Sequence, residues 1–190
     1  MTARPDDWAR RATPEATSAK PAAPPPLRVV EPFEVFYERE LRSVIGLAYA
    51  LSGSRSAAED LAQDAFMAAH RSWDKVGRYD KPEAWVRRVV ANMSVSMFRR
   101  KVREARAVAR LGRTTTVLPE LPAEAEQFWA AVRALPKRQA QTIALHYLED
   151  RPVAEIAEIL ECSEATVKVH LHTGRIRLAD RLQLEMGVDA

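Results

Sequence analysis

The chain has 190 residues, 47% of them hydrophobic and 29% charged, with a formal net charge of +3 and a single cysteine, Cys162. That hydrophobic content supports one ordinary domain or two small ones and excludes a wholly disordered chain. One cysteine excludes an internal disulfide framework and suits a reducing cytoplasm, and no apolar run approaches the ~18 residues that span a bilayer.

The amino terminus, MTARPDDWARRATPEA, lacks the apolar core of a secretory signal. The sequence therefore reads as cytoplasmic, with no membrane insertion. Residues 1–30 are rich in Pro, Ala, Thr and Ser and end in KPAAPPPLRVV. Proline at this density removes backbone donors and blocks helix, so a disordered or polyproline-like extension is expected, with Trp8 an incidental or docking residue. Thereafter apolar residues recur at helical spacing, with almost no strand-type alternation. A first helix is expected over 32–51, with Phe33, Phe36, Tyr37, Leu41, Val44, Ile45 and Ala48 on one side, and SGSRS breaks it. A second is expected over 57–73, with Leu61, Ala65, Phe66 and Ala69 inward, followed by a loop, DKVGRYD. Asp80 then stands as an N-cap, with Pro82 in the first turn and Glu83 three residues on, for a helix running to about residue 110.

Charge divides sharply along this half. From Glu31 to Asp64 seven acids face three bases, whereas from Ala84 to Arg113 nine bases face one acid, Glu104. The polarity points to two partners of opposite character, a polyanion on one surface and something basic on the other; solvated helix faces are the bland alternative.

LGRTTTVLPELPA, residues 111–123, holds a glycine, two prolines and a threonine run, and reads as a linker reaching at most ~45 Å. Helices over 125–135, 136–148 and 152–160 follow, then one opened by Ser163 as its N-cap. The expected fold is all-α: a disordered extension (1–30), a helical domain (31–110), the flexible linker (111–123), and a second helical domain (124–190) of helix-turn-helix form. Ile156, Ile159 and Leu160 pack the first helix of that unit, Ala157 lets its partner cross closely, and ECS makes the turn. Along the last helix Val167, Leu171, Gly174 and Leu178 form a buried stripe, while Thr166, Lys168, His170, His172 and Arg175 fill the outer arc. In such a unit that arc faces base edges in the major groove. His170 and His172, two apart, cannot chelate one ion from a regular helix. The sequence offers no glycine-rich phosphate loop, nucleophile elbow or ligand-spaced His/carboxylate cluster, so no enzyme activity, metal or cofactor is expected. His70 and His146 read as structural.

AEDLAQDAFMAAHRSW, DKPEAWVRRVVANMSVSMFRRKVRE and LPKRQAQTIALHYLEDRPVAEIAEILECSEATVKVHLHTGRIRL, in this order and spacing, resemble bacterial RNA polymerase sigma factors of the extracytoplasmic-function type. The likeness covers about residues 32–182. It implies a transcription initiation factor that binds core RNA polymerase (the β′ clamp coiled coil and the β flap), reads promoter −35 and −10 elements, aids melting, and answers to an anti-sigma factor. Asp60, Gln63 and Asp64, at i, i+3 and i+4, match the polymerase-binding positions. Arg87, Arg88, Asn92, Arg99, Arg100 and Lys101 match the −10 segment, where an extruded base is held by Asn92 and the loop 76–81. Trp73 and Trp85 are core residues or stacking faces. Ser163, Thr166, Lys168, Val169, His170, His172 and Arg175 match the −35 reader. Departures from the family pattern are Ala165, Val169, His170 and Thr173, which thin the phosphate-binding complement; His170 makes pH-sensitive binding a possibility to test. The rival reading is a stand-alone helix-turn-helix regulator whose amino-terminal half senses a ligand or dimerises.

Overall fold

The computed structural model describes residues 30–104 and 123–186, with side chains over 30–94 and 125–182. Every element among them is helical. The extension, the segment 105–122, which carries most of the expected linker, and the side chains of Arg99, Arg100 and Lys101 lie outside this description.

Helix α1 (Phe33–Ser52) ends where Gly53 turns left-handed, φ 64°, and its N–H donates to Tyr49 O at 2.8 Å. Ser54 then caps α2 (Arg55–Arg71), its side chain accepting from Ala57 N. The alanines Ala58, Ala62, Ala65 and Ala69 lie buried along α2. With no side chain beyond Cβ, they let α2 lie close against Phe36, Val44 and Leu47 of α1. Residues 74–80, expected as pure loop, contain a helical turn, α3 (Trp73–Val76). Packing causes it: Val76 is buried, and Trp73 stacks 4.7 Å from Phe36 and 5.3 Å from Phe33 while its Nε1 donates to Glu31 O at 3.0 Å. Helix α4 (Pro82–Glu104) begins at Pro82. Proline at the first helical position loses no bond, because that N–H would have had no partner.

The second half is α5 (Ala123–Arg133), α6 (Lys137–Tyr147), α7 (Val153–Leu160) and α8 (Glu164–Met186). Helices α7 and α8 are the helix-turn-helix pair, with Glu161 at φ 53° closing α7. Gly174 lets α8 press on α6: a Cβ there would sit 3.2 Å from Ile143 Cγ1. Separate cores on either side of the linker were expected. Instead, buried residues of both halves, Phe36, Leu47 and Val86 with Ile143, Ile156 and Ile159, join one apolar cluster.

Candidate nucleic-acid interface

Three surfaces carry the residues singled out by the sequence. On α2, Leu61, Ala62, Ala65 and Phe66 turn inward, which leaves Asp60, Gln63 and Asp64 exposed together on one edge. Beside that edge runs an apolar groove of about 260 Å³ lined by Phe33, Tyr37, Gln63, Phe66, Met67 and His70, with Arg71 at its end. The sequence reading missed this groove. Its only signal was Tyr37 and Met67, large apolar side chains that remain exposed.

On α4 the predicted residues separate. Asn92 is exposed, but Arg87 is 1% exposed and fully engaged. Its Nε donates to Glu149 at 2.6 Å, Nη1 to Glu40 at 2.8 Å and Nη2 to Ser43 Oγ at 2.8 Å. Burial opposes its charge, yet Glu149 and Glu40 more than offset that, and its proton is held more tightly than usual. Burial likewise pushes the Glu40 carboxyl up, but hydrogen bonds from Arg39 and Arg87 hold it below the ordinary carboxylate range. Arg88, half-buried, donates to Glu161 at 2.8 Å and to the Glu158 carbonyl at 2.7 Å. Lys81 reaches Glu158 at 3.0 Å, and that bond raises its pKa. Tyr79, Asp80, Lys81, Ala84, Trp85, Arg88 and Glu158 line a cavity of about 400 Å³ at this junction. Trp73 and Trp85 both pack against the core, Trp85 with one side in the cavity.

On α8, Ser163 Oγ accepts from Thr166 N at 3.1 Å and lies 2.8 Å from Thr166 Oγ1, so both side chains serve the helix start. Lys168, Val169, His172 and Arg175 are exposed, and His170 is half-buried. Val169, at 58% exposure, is the most exposed large apolar side chain among the described residues of the helix. The Arg175 guanidinium lies 5.5 Å over the Tyr147 ring, its Nε donating to Tyr147 Oη at 2.7 Å and its Nη2 3.2 Å from His146 Nε2. Tyr147 and His146 were not foreseen as its supports, because they lie 28 and 29 residues away in sequence. Among the described residues no group of three His, Cys, Asp or Glu is placed to hold a metal ion, and no helix is long and apolar enough to cross a membrane.

Two family patterns match: Sigma-70 region 2 over residues 36–104, and Sigma-70, region 4 over residues 125–178. The ECF RNA polymerase sigma factor SigM of Mycobacterium tuberculosis is 31% identical over 162 residues, covering 83% of this chain and 81% of that protein. SigW of Bacillus subtilis, also an ECF RNA polymerase sigma factor, is 28% identical over 152 residues, covering 72% and 81%. Among solved structures, the sigma factor RpoE in complex with the anti-sigma factor NepR from Bartonella quintana aligns with a TM-score of 0.62 at 25% identity, covering 80% of this chain and 96% of that one.

Proposed function

Because the chain belongs to the ECF family of RNA polymerase sigma factors, we propose a division of labour among its three surfaces. As a sigma factor the protein joins core RNA polymerase, directs it to promoters and supports initiation.

The Asp60, Gln63 and Asp64 edge docks on a basic coiled coil of the polymerase clamp, and the adjoining apolar groove receives an apolar side chain from the same partner. The carrying observation is that α2 leaves two carboxylates and an amide exposed together while its opposite face is buried. Helix α8 enters the −35 major groove, where Lys168 and Arg175 contact phosphate or guanine and Val169 meets a thymine methyl. Asn92 and the loop 76–81 hold an extruded −10 base, with Trp85 as a stacking wall; extrusion costs a few kcal/mol, which the pocket's hydrogen bonds and shape return. Arg99, Arg100 and Lys101 position the phosphate backbone without reading sequence. The chain itself catalyses nothing: binding energy aimed at separated strands is what opens the promoter. A cytoplasmic site and an anti-sigma protein as antagonist belong to the same reading.

Run-off transcription with core polymerase and a promoter-fragment library tests it. Specific transcripts are expected from the unmodified chain, and Asp60→Lys/Asp64→Lys is expected to abolish both polymerase association and transcription. A dimer footprint on a palindrome without polymerase would instead support the stand-alone regulator.

A further inference from the structure

We propose that Tyr147 and His146, at the carboxy-terminal end of α6, are positioning residues that hold Arg175 of α8 in one register for a backbone phosphate beside the −35 element. That role rests on the assignment of α8 to the −35 major groove, and it decides between the phosphate and guanine contacts left open there for Arg175. A free arginine on a helix surface loses much rotamer freedom when it grips a ligand. Here that loss is met before DNA arrives. The guanidinium lies 5.5 Å over the Tyr147 ring, its Nε donates to Tyr147 Oη at 2.7 Å, and its Nη2 lies 3.2 Å from His146 Nε2. A guanidinium only donates, so His146 Nε2 is the acceptor and the neutral ring carries its proton on Nδ1. The Arg151 carbonyl, 3.4 Å from Nδ1, stands where that N–H is directed and selects the same tautomer. Arg151 N in turn donates to Leu145 O at 3.0 Å, so the chain carrying that carbonyl is itself tied to α6.

One edge of the guanidinium, Nε with Nη2, is thus engaged by α6, while Nη1 has no hydrogen-bond partner among the described residues. The outward edge keeps a pair of parallel donors, which match two phosphate oxygens. Position selects phosphate over base. Val169 and Ile176, 58% and 50% exposed, lie on the outermost line of α8. Lys168 and Arg175 form the neighbouring line, about 100° round the axis, on the flank turned to α6. Arg175 also stands about 16 Å along α8 from its first residue, Glu164. In such units the side chains that meet base edges lie near the start of the helix. A cation drawn sideways onto α6, three turns in, stands over the wall of the groove rather than its floor, and the wall is phosphate. Tyr147 is itself 52% exposed, so core packing does not account for its place.

The test uses holoenzyme assembled from core polymerase and the full chain, titrated with a fluorescent −35 duplex from the run-off screen and with single-base variants of it. Arg175→Ala is expected to weaken every duplex roughly tenfold and to make the salt dependence shallower by about one phosphate. Tyr147→Leu and His146→Leu keep the Arg175 charge but lose its register, so each is expected to weaken binding roughly fivefold at an unchanged salt slope. His146→Gln, whose side-chain oxygen accepts in place of Nε2, is expected to bind like the parent. In an Arg175→Ala background neither leucine substitution should have any further effect. A further loss in that background, or parental affinity in the single variants, overturns the positioning role. Loss confined to duplexes altered at one guanine overturns the phosphate assignment. The hold itself is read in the free chain from the Arg175 Nε–H signal in ¹H–¹⁵N spectra. Slow exchange with water is expected in the parent and fast exchange in Tyr147→Leu; fast exchange already in the parent overturns the hold. Failure of holoenzyme to bind any −35 duplex would defeat the assignment of α8, and the phosphate role with it, while the Nε–H signal still decides whether α6 holds Arg175.

Discussion

Arg87 decides more than any other side chain here. A guanidinium has five donors in a rigid plane, and here Glu149, Glu40, Ser43 and the Glu83 carbonyl accept four hydrogen bonds from it while the side chain is almost wholly excluded from water. Such a group contributes little when compared with an apolar replacement of the whole cluster, but removing one member strands the others. Arg87→Met is expected to cost about 3 kcal/mol, the low end for a broken buried pair, because Glu40 retains Arg39 and Glu149 retains Arg151. Thermal denaturation should show a fall in Tm of roughly 10 °C. Glu40 makes a separate, pH-resolved prediction. Its folded pKa lies below its unfolded value, so its stabilisation is complete above about pH 4.3 and drains away as pH falls through the lowered folded value. Glu40→Gln should therefore lose stability at neutral pH yet show a shallower decline than the parent as pH falls below about 4.3 in urea titrations. Equal slopes for the two proteins would mean Glu40 is not coupled to Arg39 and Arg87 in solution.

At the scale of single helices, the legible features were those encoded by neighbours in sequence. The inward stripe of α2, the turn ECS, and Ser163 as the cap of α8 all follow from contacts within four residues, and the structure has each where the spacing put it. What the sequence could not yield were partners contributed from afar: Trp73, which opens α3, packs on Phe36 of α1, and Arg175 is propped by Tyr147. Ser163 illustrates how a capping role and a DNA-contact role can be separated. Ser163→Ala should lower stability by about 1 kcal/mol through loss of the cap. Ser163→Asp should keep the cap, since Asp caps as well and suits the helix N-terminus, while placing a negative charge against DNA. If Ser163 faces phosphate, the Asp variant melts like the parent but binds −35 duplex, scored within the polymerase complex, at least several-fold more weakly; parental binding would confine Ser163 to capping. Glycine supplies a second contrast. Gly46 lies inside α1 with no atom near a prospective Cβ, so Gly46→Ala should stabilise by about 0.5–1 kcal/mol. Gly53, left-handed and with Arg133 Nε 2.6 Å from a prospective Cβ, should respond with the opposite sign in the same melt.

For the whole molecule, chain order and spatial order differ. The sequence divides cleanly into two helical halves, and a reading based on composition and linkers sees two domains. The folded chain merges them through apolar contacts and through polar bridges that no local pattern announces: Ser43 to Glu149, Tyr49 to Glu126 at 2.9 Å, and Gln141 to Ala91. Glu149 followed no hydrophobic rhythm and matched no motif, so its importance appears only once α6 ends against α1 and α4. A shared cluster has a thermodynamic consequence, because two halves that bury each other's surface unfold together, whereas independent halves unfold each at its own midpoint. Trp85 reports on the first half and Trp129 on the second, and both pack against the common cluster. With 5-fluorotryptophan incorporated, ¹⁹F spectra carry four indole signals, from Trp8, Trp73, Trp85 and Trp129, and those of Trp85 and Trp129 are followed in one urea titration without altering the sequence. Their native signals should vanish at a common midpoint in the parent. In Glu149→Gln the midpoints should separate, the half with the smaller core giving way first, because the substitution removes the charge that ties the α6–α7 corner to Arg87 while leaving each half's own apolar contacts intact. Separate midpoints already present in the parent would show that the merged cluster contributes too little to couple the halves, and that polymerase meets an open chain.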